Sequence, residues 1–339
     1  MALDALVSEY LPSLEDDMRS VIRGVDEVER HLFGMLQYHL GWVDAAFERC
    51  EGRSGKRVRP ILCLLSCEGC GGVWDQALPA ATAIELLHNF SLIHDDIEDQ
   101  DRVRRGRPTL WSIWGQAQGI NAGDTLFALS QLALLRLAER GVGPEVVVHA
   151  ARLFNEMCVA LTRGQYLDIG FEEDDNVSVE DYMVMIEAKT AALVACACEL
   201  GGLVAGAPAE QREHLHVFGL HLGLAFQLLD DVLGIWGDAA VTGKPVGADI
   251  ARRKKSLPII YGLQQSAELR RLMFRKSLSD DDVLRARHLL EAVGSREYTE
   301  GLAEMHHEAT LVALGRAELC NPAAQALHEL SERLLNRRR

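Results

Sequence analysis

The chain has 339 residues, 48% of them apolar and only 6% aromatic, and a net charge of −15. That supplies a large core, and a mix rich in Leu and Ala but poor in aromatics favours helix over sheet. The acidic balance excludes a general nucleic-acid binder, whose faces are basic. No run of 18 uninterrupted apolar residues predicts a membrane span. Met1-Ala2-Leu3-Asp4 lacks the basic start and sustained apolar run of a signal peptide, so a cytoplasmic location is expected. The eight cysteines are expected as core thiols in a reducing compartment. Cys63, Cys67 and Cys70 share one helical face, and Cys67-x-x-Cys70 has no second paired set to complete a zinc site.

Residues 1–50 read as two amphipathic helices, with a boundary at Leu11-Pro12-Ser13, where Ser13 suits an N-cap, and helical spacing over 25–47. The loop from Glu51 to Pro60 then gathers Arg53, Lys56, Arg57 and Arg59 beside a helix start, with Pro60 in the first turn. A phosphate clamp and a solvated basic loop are equally compatible with it. The spacing is not that of a P-loop. A long helix is predicted from Pro79 to Asp99, carrying Glu85, His88, Phe90 and Ser91, and it ends in His94-Asp95-Asp96-Ile97-Glu98-Asp99. Asp95 and Asp99 are four apart and share a helical face, with Asp96 turned about 100° away. Such a cluster repels itself unless a hard cation takes its oxygens. Mg²⁺ suits it, being held by one or two carboxylates, waters and a substrate's phosphates. His88 lies two turns before Asp95 on nearly the same face, which points it toward the same ligand.

Arg102, Val103, Arg104, Arg105, Gly106 and Arg107 follow as a predicted loop, better suited to guanidinium clamps on phosphate than to an independent basic patch. Helices are predicted from Asn121 to Arg140 and on to Gly170, the latter including Gly164, Gln165 and Asp168. The acidic loop from Glu172 to Asn176 is solvated, and Ser178 caps a helix running to Leu203. In that helix Lys189-Thr190 sits among small apolar residues, so the ammonium needs water or an anion. A helix from Gln211 to Leu233 carries Phe226-Gln227-Leu228-Leu229-Asp230-Asp231, a second acid pair behind an apolar run. The Gly-rich segment 237–256, with Lys244, Asp249, Lys254 and Lys255, is a candidate lid. Amphipathic helix follows to a frayed Arg337-Arg338-Arg339 tail. Two acidic helix ends, each with cations nearby, describe a diphosphate site better than either does alone.

In this order the motifs resemble those of the trans-isoprenyl diphosphate synthases of the polyprenyl synthetase family, over roughly 50–300 and through the remainder of the chain. The motifs are Gly55-Lys56-Arg57-x-Arg59-Pro60, Asp95-Asp96-x-x-Asp99 with Arg104-Arg105-Gly106, Lys189-Thr190, Phe226-Gln227, Asp230-Asp231, and Gly243-Lys244 with Asp249 and Lys254. The resemblance implies an all-α, isoprenoid-synthase-type helical bundle around a deep central pocket, a single domain over 1–339, and a homodimer. It implies Mg²⁺-dependent head-to-tail (1'-4) condensation of isopentenyl diphosphate with an allylic diphosphate. On this basis Asp95, Asp99 and Asp230 hold the metal, with Asp96 and Asp231 supporting them. Arg104, Lys189 and Lys254 bind the allylic diphosphate, while Lys56, Arg59, His88 and Arg105 hold isopentenyl diphosphate. Thr190, Gln227 and Lys244 complete the substrate contacts. Phe90 and Ser91, just before Asp95, set chain length, with geranylgeranyl diphosphate expected ahead of farnesyl diphosphate. Two positions depart from the family pattern: Gly234 stands where a third Asp is frequent, with Asp238 a partial replacement, and Trp111 where His is frequent. A class I terpene cyclase, a non-catalytic subunit of a heteromeric synthase and a helical phosphohydrolase are the competing readings. The isopentenyl clamp argues against the cyclase, and the whole first aspartate motif argues against the subunit.

Overall fold

The computed structural model describes residues 2–24, 26–50, 55–238, 246–319 and 321–335. Among these, the only strands are two of two residues each, and the protein is all-α. The chain forms two compact units. The first comprises Met1–Asn155, Ala197–Arg212 and Leu319–Leu327; the second comprises Glu156–Cys196, Glu213–Glu318 and His328–Arg339.

In the first unit α1 (Ala2–Val21) runs through Pro12, so the predicted boundary there is absent. A proline inside a helix removes one N–H and crowds the preceding turn. Packing on both sides of it outweighs that loss. Tyr10, Leu14 and Met18 are buried, and the Asp17 carboxylate takes hydrogen bonds from Thr82 at 2.8 Å and Arg136 at 2.9 Å. In α2 (Glu27–His39) the Asp26 side chain caps by accepting from the Glu29 N–H. This helix is shorter than its apolar spacing suggested, because the chain turns back to bridge Val43 with Arg49.

Two apolar helices follow, α3 (Val58–Gly69) and α4 (Leu78–Glu98). Every residue of α4 from Leu78 to Leu87 is buried, as expected of a helix apolar all round. Its one acid in that stretch, Glu85, is ion-paired. The predicted loop after α4 is instead a hairpin, β1 (Val103–Arg104) antiparallel to β2 (Arg107–Pro108). Arg105 and Gly106 form its turn with φ of 54° and 78°, the left-handed pair that closes two-residue hairpins. Then come α5 (Leu110–Trp114) and α6 (Gln116–Leu135), the latter beginning a turn before the predicted Asn121.

Further helices are α7 (Pro144–Glu173), α8 (Val179–Ile186), α9 (Ala192–Val204) and α10 (Ala209–Trp236). Ser178 and Asp181 form a reciprocal capping box on α8. The single helix predicted onward from Ser178 is interrupted by a π-turn, Glu187–Ala191, which carries Lys189 and Thr190. In the second unit Gly164 lies against this turn. A Cβ at 164 would stand 2.6 Å from the Lys189 Cα, so only glycine admits the approach. The core of this unit collects Ile235, Ile250, Ile259, Leu269, Leu272, Met273, Ala286 and Leu290. These come partly from helices Leu257–Gln265, Ala267–Met273 and Asp280–Ala292, and Ser295–Arg316 follows. Within the predicted lid, Ala248–Ala251 is helical, while 239–245, with Lys244, lie outside the described residues, as does the 336–339 tail.

By length and composition Ala209–Trp236 could cross a membrane, but 61% of its apolar window is buried, as in a core helix. No disulfide joins the described cysteines. Burial pushes the Cys67 and Cys198 thiols up to about 12, which makes them inert packing groups.

Candidate active site

In the first unit the end of α4 sorts its carboxylates by exposure. Asp95 is half-buried, Asp99 is exposed and caps the helix, and Asp96 is buried at 2%. Arg104 on the hairpin donates its Nε to Asp96 Oδ1 at 2.7 Å. Burial holds the Asp96 carboxyl up at about 6, and the Arg104 charge works in the opposite direction. Asp96 is therefore fixed inside the fold, while Asp95 and Asp99 remain toward water.

Next to this cluster are the groups read as an isopentenyl clamp. Arg59 NH1 lies 3.3 Å from His88 Nε2. Burial, then the charges of Arg59, Arg105 and Arg104, drive His88 well below its ordinary range, so it accepts from the guanidinium as a neutral ring. Lys56 is exposed. The Arg105 guanidinium covers Gly55, where a Cβ would stand 2.9 Å from NH2. The left-handed turn of the hairpin thus carries Arg105 to the loop that begins the clamp.

Two other arginines of these basic runs face inward. Arg57 is buried, pairing with Glu15 at 2.8 Å and Glu85 at 2.7 Å, and it clips α1 to α4. Arg107 donates to the carbonyls of Tyr38 and Val43 and lies over the Tyr38 ring, which anchors the hairpin. Trp111, unexplained by sequence, donates its Nε1–H to the Asp101 carbonyl at 2.9 Å and packs under Arg102. It holds the junction between the acidic helix end and the hairpin. Phe90 packs against His94 and, at 5.2 Å between ring centroids, Phe127 of α6. Ser91 turns its hydroxyl back onto the His88 carbonyl.

In the second unit Asp230 is exposed and Asp231 is 1% exposed. The Asp231 carboxylate accepts from the Tyr182 hydroxyl, from Gln227 Nε2 at 3.0 Å and from the Leu257 N–H at 3.2 Å. Burial raises it to about 6, while the Lys254 charge and these donors pull the other way. Gln227 in turn accepts from the Thr190 hydroxyl at 3.2 Å. This chain of bonds links the π-turn to the acid pair. Lys189 donates to Asp168 Oδ2 at 2.5 Å, and Lys254 is exposed. π-turns within helices recur at functional sites, and here the turn presents the Lys189-Thr190 pair.

Gly234 has a spatial counterpart. A Cβ at 234 would overlap the Asp249 carboxylate, whose Cγ would be 2.6 Å away. The carboxylate brought to the vacated position is therefore that of Asp249, 7% exposed, in place of the anticipated Asp238. Sequence reasoning also missed Tyr182, Asp168 as the partner of Lys189, the inward role of Arg57, and His39. Asp168 is one of several acids of α7, with Glu145, Glu156, Glu172 and Glu173, so nothing along the chain singled it out. Tyr182 and His39 carried no signal either: the Asp231 partner of Tyr182 lies 49 residues away along the chain, and the charges that act on His39 come from Arg57 and from Arg104 and Arg105 of the hairpin.

Oxygen-rich donors suit a hard divalent cation. Among the described residues no three His, Cys, Asp or Glu side chains gather closely enough to hold one alone.

Helix α4 thus ends in D-D-x-x-D and α10 carries D-D in its last two turns, each with cations on adjoining segments, which is the chemistry of a diphosphate site. The model of the polyprenyl synthetase family matches residues 41–292. The chain is 37% identical over 320 residues to (2E,6E)-farnesyl diphosphate synthase of Mycobacterium bovis, covering 92% of this chain and 88% of that protein. It is 40% identical over 313 residues to geranylgeranyl diphosphate synthase of Mycobacterium tuberculosis, covering 91% and 88%. The crystal structure of a polyprenyl synthetase from Streptomyces coelicolor superposes with a TM-score of 0.89 at 34% identity, covering 98% and 99%. The geranylgeranyl pyrophosphate synthase of Corynebacterium glutamicum, solved with isoprenyl diphosphate and magnesium, gives 0.84 at 26% identity, covering 99% of each chain. The chain belongs to the polyprenyl synthetase family, and it is a trans-prenyl diphosphate synthase.

Proposed function

We propose that the protein condenses isopentenyl diphosphate head-to-tail with an allylic diphosphate, with Mg²⁺ as cofactor, to give a short all-trans product. Geranylgeranyl diphosphate is proposed ahead of farnesyl diphosphate. The observation that carries this reading is the repeated division of labour in the acid pairs. In each unit one carboxylate faces water and its neighbour is buried and hydrogen-bonded. Asp95, Asp99 and Asp230 would hold the metal, which when bound offsets the negative charge growing on the departing diphosphate. Arg104, Lys189 and Lys254 bind that same diphosphate, and their charges favour the transition state over the ground state. Lys244 is assigned beside them by resemblance alone.

The allylic C–O bond breaks, and the diphosphate leaves with its electron pair. The double bond of isopentenyl diphosphate, held by Lys56, Arg59, His88 and Arg105, then supplies the electrons of the new C–C bond. A proton leaves to regenerate an alkene, and the released diphosphate is the proposed base. Closure of 237–256 would exclude water, which otherwise quenches the cation. The two units are proposed to act as one catalytic domain, since the family match runs through residues of both. A homodimer is proposed from the resemblance.

Phe90 is proposed as the chain-length floor, with Ser91 leaving room beside it. Its packing on Phe127 supports a fixed ring position. Incubating the protein with isopentenyl diphosphate and dimethylallyl, geranyl or farnesyl diphosphate, and separating products by length, tests both points. A discrete C20 product, lengthened in Phe90→Ala, is expected. A C15 end product would revise the chain length, and an unchanged profile in Phe90→Ala would remove the floor. Hydrocarbon release from one substrate alone would favour the cyclase.

A further inference from the structure

Between α2 and the hairpin of the first unit lies a small cavity of about 30 Å³. Its walls include His39, Asp96 and Arg104. Two of its polar atoms, His39 Nε2 and Asp96 Oδ2, are fully buried and have no hydrogen-bond partner among the described residues. A buried carboxylate oxygen left unsatisfied carries its full desolvation penalty, so two orphaned atoms on one cavity call for a shared solution. The volume decides which. A single water needs about 10–15 Å³ of such space and two or more polar partners, and a phosphate group needs several times that.

We propose that His39 is a positioning residue for Arg104: through one buried water it holds Asp96 Oδ2, and so fixes the carboxylate onto which Arg104 docks. The water donates one hydrogen to the Asp96 oxygen. Toward His39 it either donates to a bare Nε2 or accepts from Nε2–H, so each neutral tautomer is served. The imidazole is neutral: burial first, then the charges of Arg104, Arg105 and Arg57, lower it to about 3, and a hydrogen-bond contact of the ring with Asn89 works in the opposite direction. A neutral ring adds no repulsion toward the three guanidiniums, whereas a lysine or a charged histidine would. Arg104 donates to Asp96 through Nε, at the 2.7 Å expected of a charge-assisted bond. The direction of its fork is therefore set by where the Asp96 carboxylate is held, and the water fixes the other end of that carboxylate.

The inference rests on the proposed role of Arg104 as an allylic-diphosphate ligand, and the test separates the two. KM for the allylic and for isopentenyl diphosphate, kcat and thermal midpoint are measured for the parent, His39→Leu, His39→Gln and Arg104→Gln. His39→Leu is expected to raise the allylic KM about tenfold, as loss of one hydrogen bond to a charged group would. The isopentenyl KM should stay within about twofold. His39→Gln, which can donate and accept toward the same water, should restore the allylic KM to within about threefold of the parent. An Arg104→Gln enzyme with an unchanged allylic KM would overturn the role of Arg104 itself. If Arg104→Gln raises that KM, the inference alone is overturned by any of three results: His39→Leu leaving it unchanged, His39→Leu raising both KM values equally, or His39→Gln failing as badly as His39→Leu. Should His39→Leu not fold, His39→Met, flexible, closer in volume than an aromatic and without the nitrogens, replaces it with the same expectations.

Discussion

The two acid pairs solve one problem in different ways. At the end of α4, the buried Asp96 meets a guanidinium and shares a small cavity with a neutral histidine. In α10, the buried Asp231 meets three neutral donors, a phenol, an amide and a backbone N–H, with the Lys254 ammonium near enough to act on its charge. Burial lifts both to about 6. The difference lies in what else each buried acid positions. Asp96 orients a cation that the proposed chemistry uses. Asp231 ties Gln227, Thr190 and the π-turn into one bonded network, and it also holds the first N–H of the Leu257–Gln265 helix. One buried acid serves a ligand, and the other serves a scaffold.

The largest effect expected is on turnover. Asp95→Ala and Asp230→Ala should each lower kcat about 10²–10³-fold or more, the scale for removing a group that stabilises transition-state charge, with thermal midpoints near the parent value. Steady-state assays at fixed Mg²⁺ check this, and retained turnover in either variant would break the parallel between the pairs. Next comes stability. Asp231→Ala strands three donors at once and should cost about 3–5 kcal/mol, the range for breaking a buried charged network. Asp96→Ala leaves one half-buried arginine and should cost about 1–2 kcal/mol. Urea denaturation that reversed this order would contradict the ligand-versus-scaffold distinction. Gly234→Ala should destabilise by about 1–3 kcal/mol through overlap with Asp249, and Asp249→Gly in the same chain should relieve part of that loss.

The smallest effect is the pH dependence. The native state retains the Asp231 proton to about pH 6, whereas the unfolded chain releases it near the ordinary carboxylate value of 3.8. The native state thus binds more protons in that window, and this group's contribution to stability is full below it and lost as pH rises through about 6. In Asp231→Asn, urea midpoints between pH 4 and 6 should fall less steeply with pH than in the parent; equal slopes would assign the titration elsewhere.

Much of this was legible in the sequence because it is local. The acid pairs, the cations after them and the capping Ser178 are fixed by spacing along one helix or loop. What escaped depends on contacts between distant segments. Pro12 suggested a helix end, yet buried Tyr10 and Leu14 on either side of it keep α1 continuous. Arg57 sits in a run of cations that suited a phosphate clamp and a solvated loop equally, but Glu15 and Glu85 are brought to it by α1 and α4. The replacement for the missing acid at Gly234 was sought nearby, at Asp238, although the fold delivers Asp249. The π-turn is invisible to periodicity, since one inserted residue shifts the apolar face by only a fraction of a turn.

The most direct test of the division between facing and buried acids is the Mg²⁺ dependence of kcat in four variants, Asp95→Asn, Asp230→Asn, Asp96→Asn and Asp231→Asn. The account predicts that the first two require more Mg²⁺ for half-maximal activity, by about tenfold or more for a lost charged ligand. The latter two should keep the Mg²⁺ requirement of the parent while changing substrate KM or stability. A Mg²⁺ requirement that shifts equally in all four, or only in Asp96→Asn and Asp231→Asn, would contradict it.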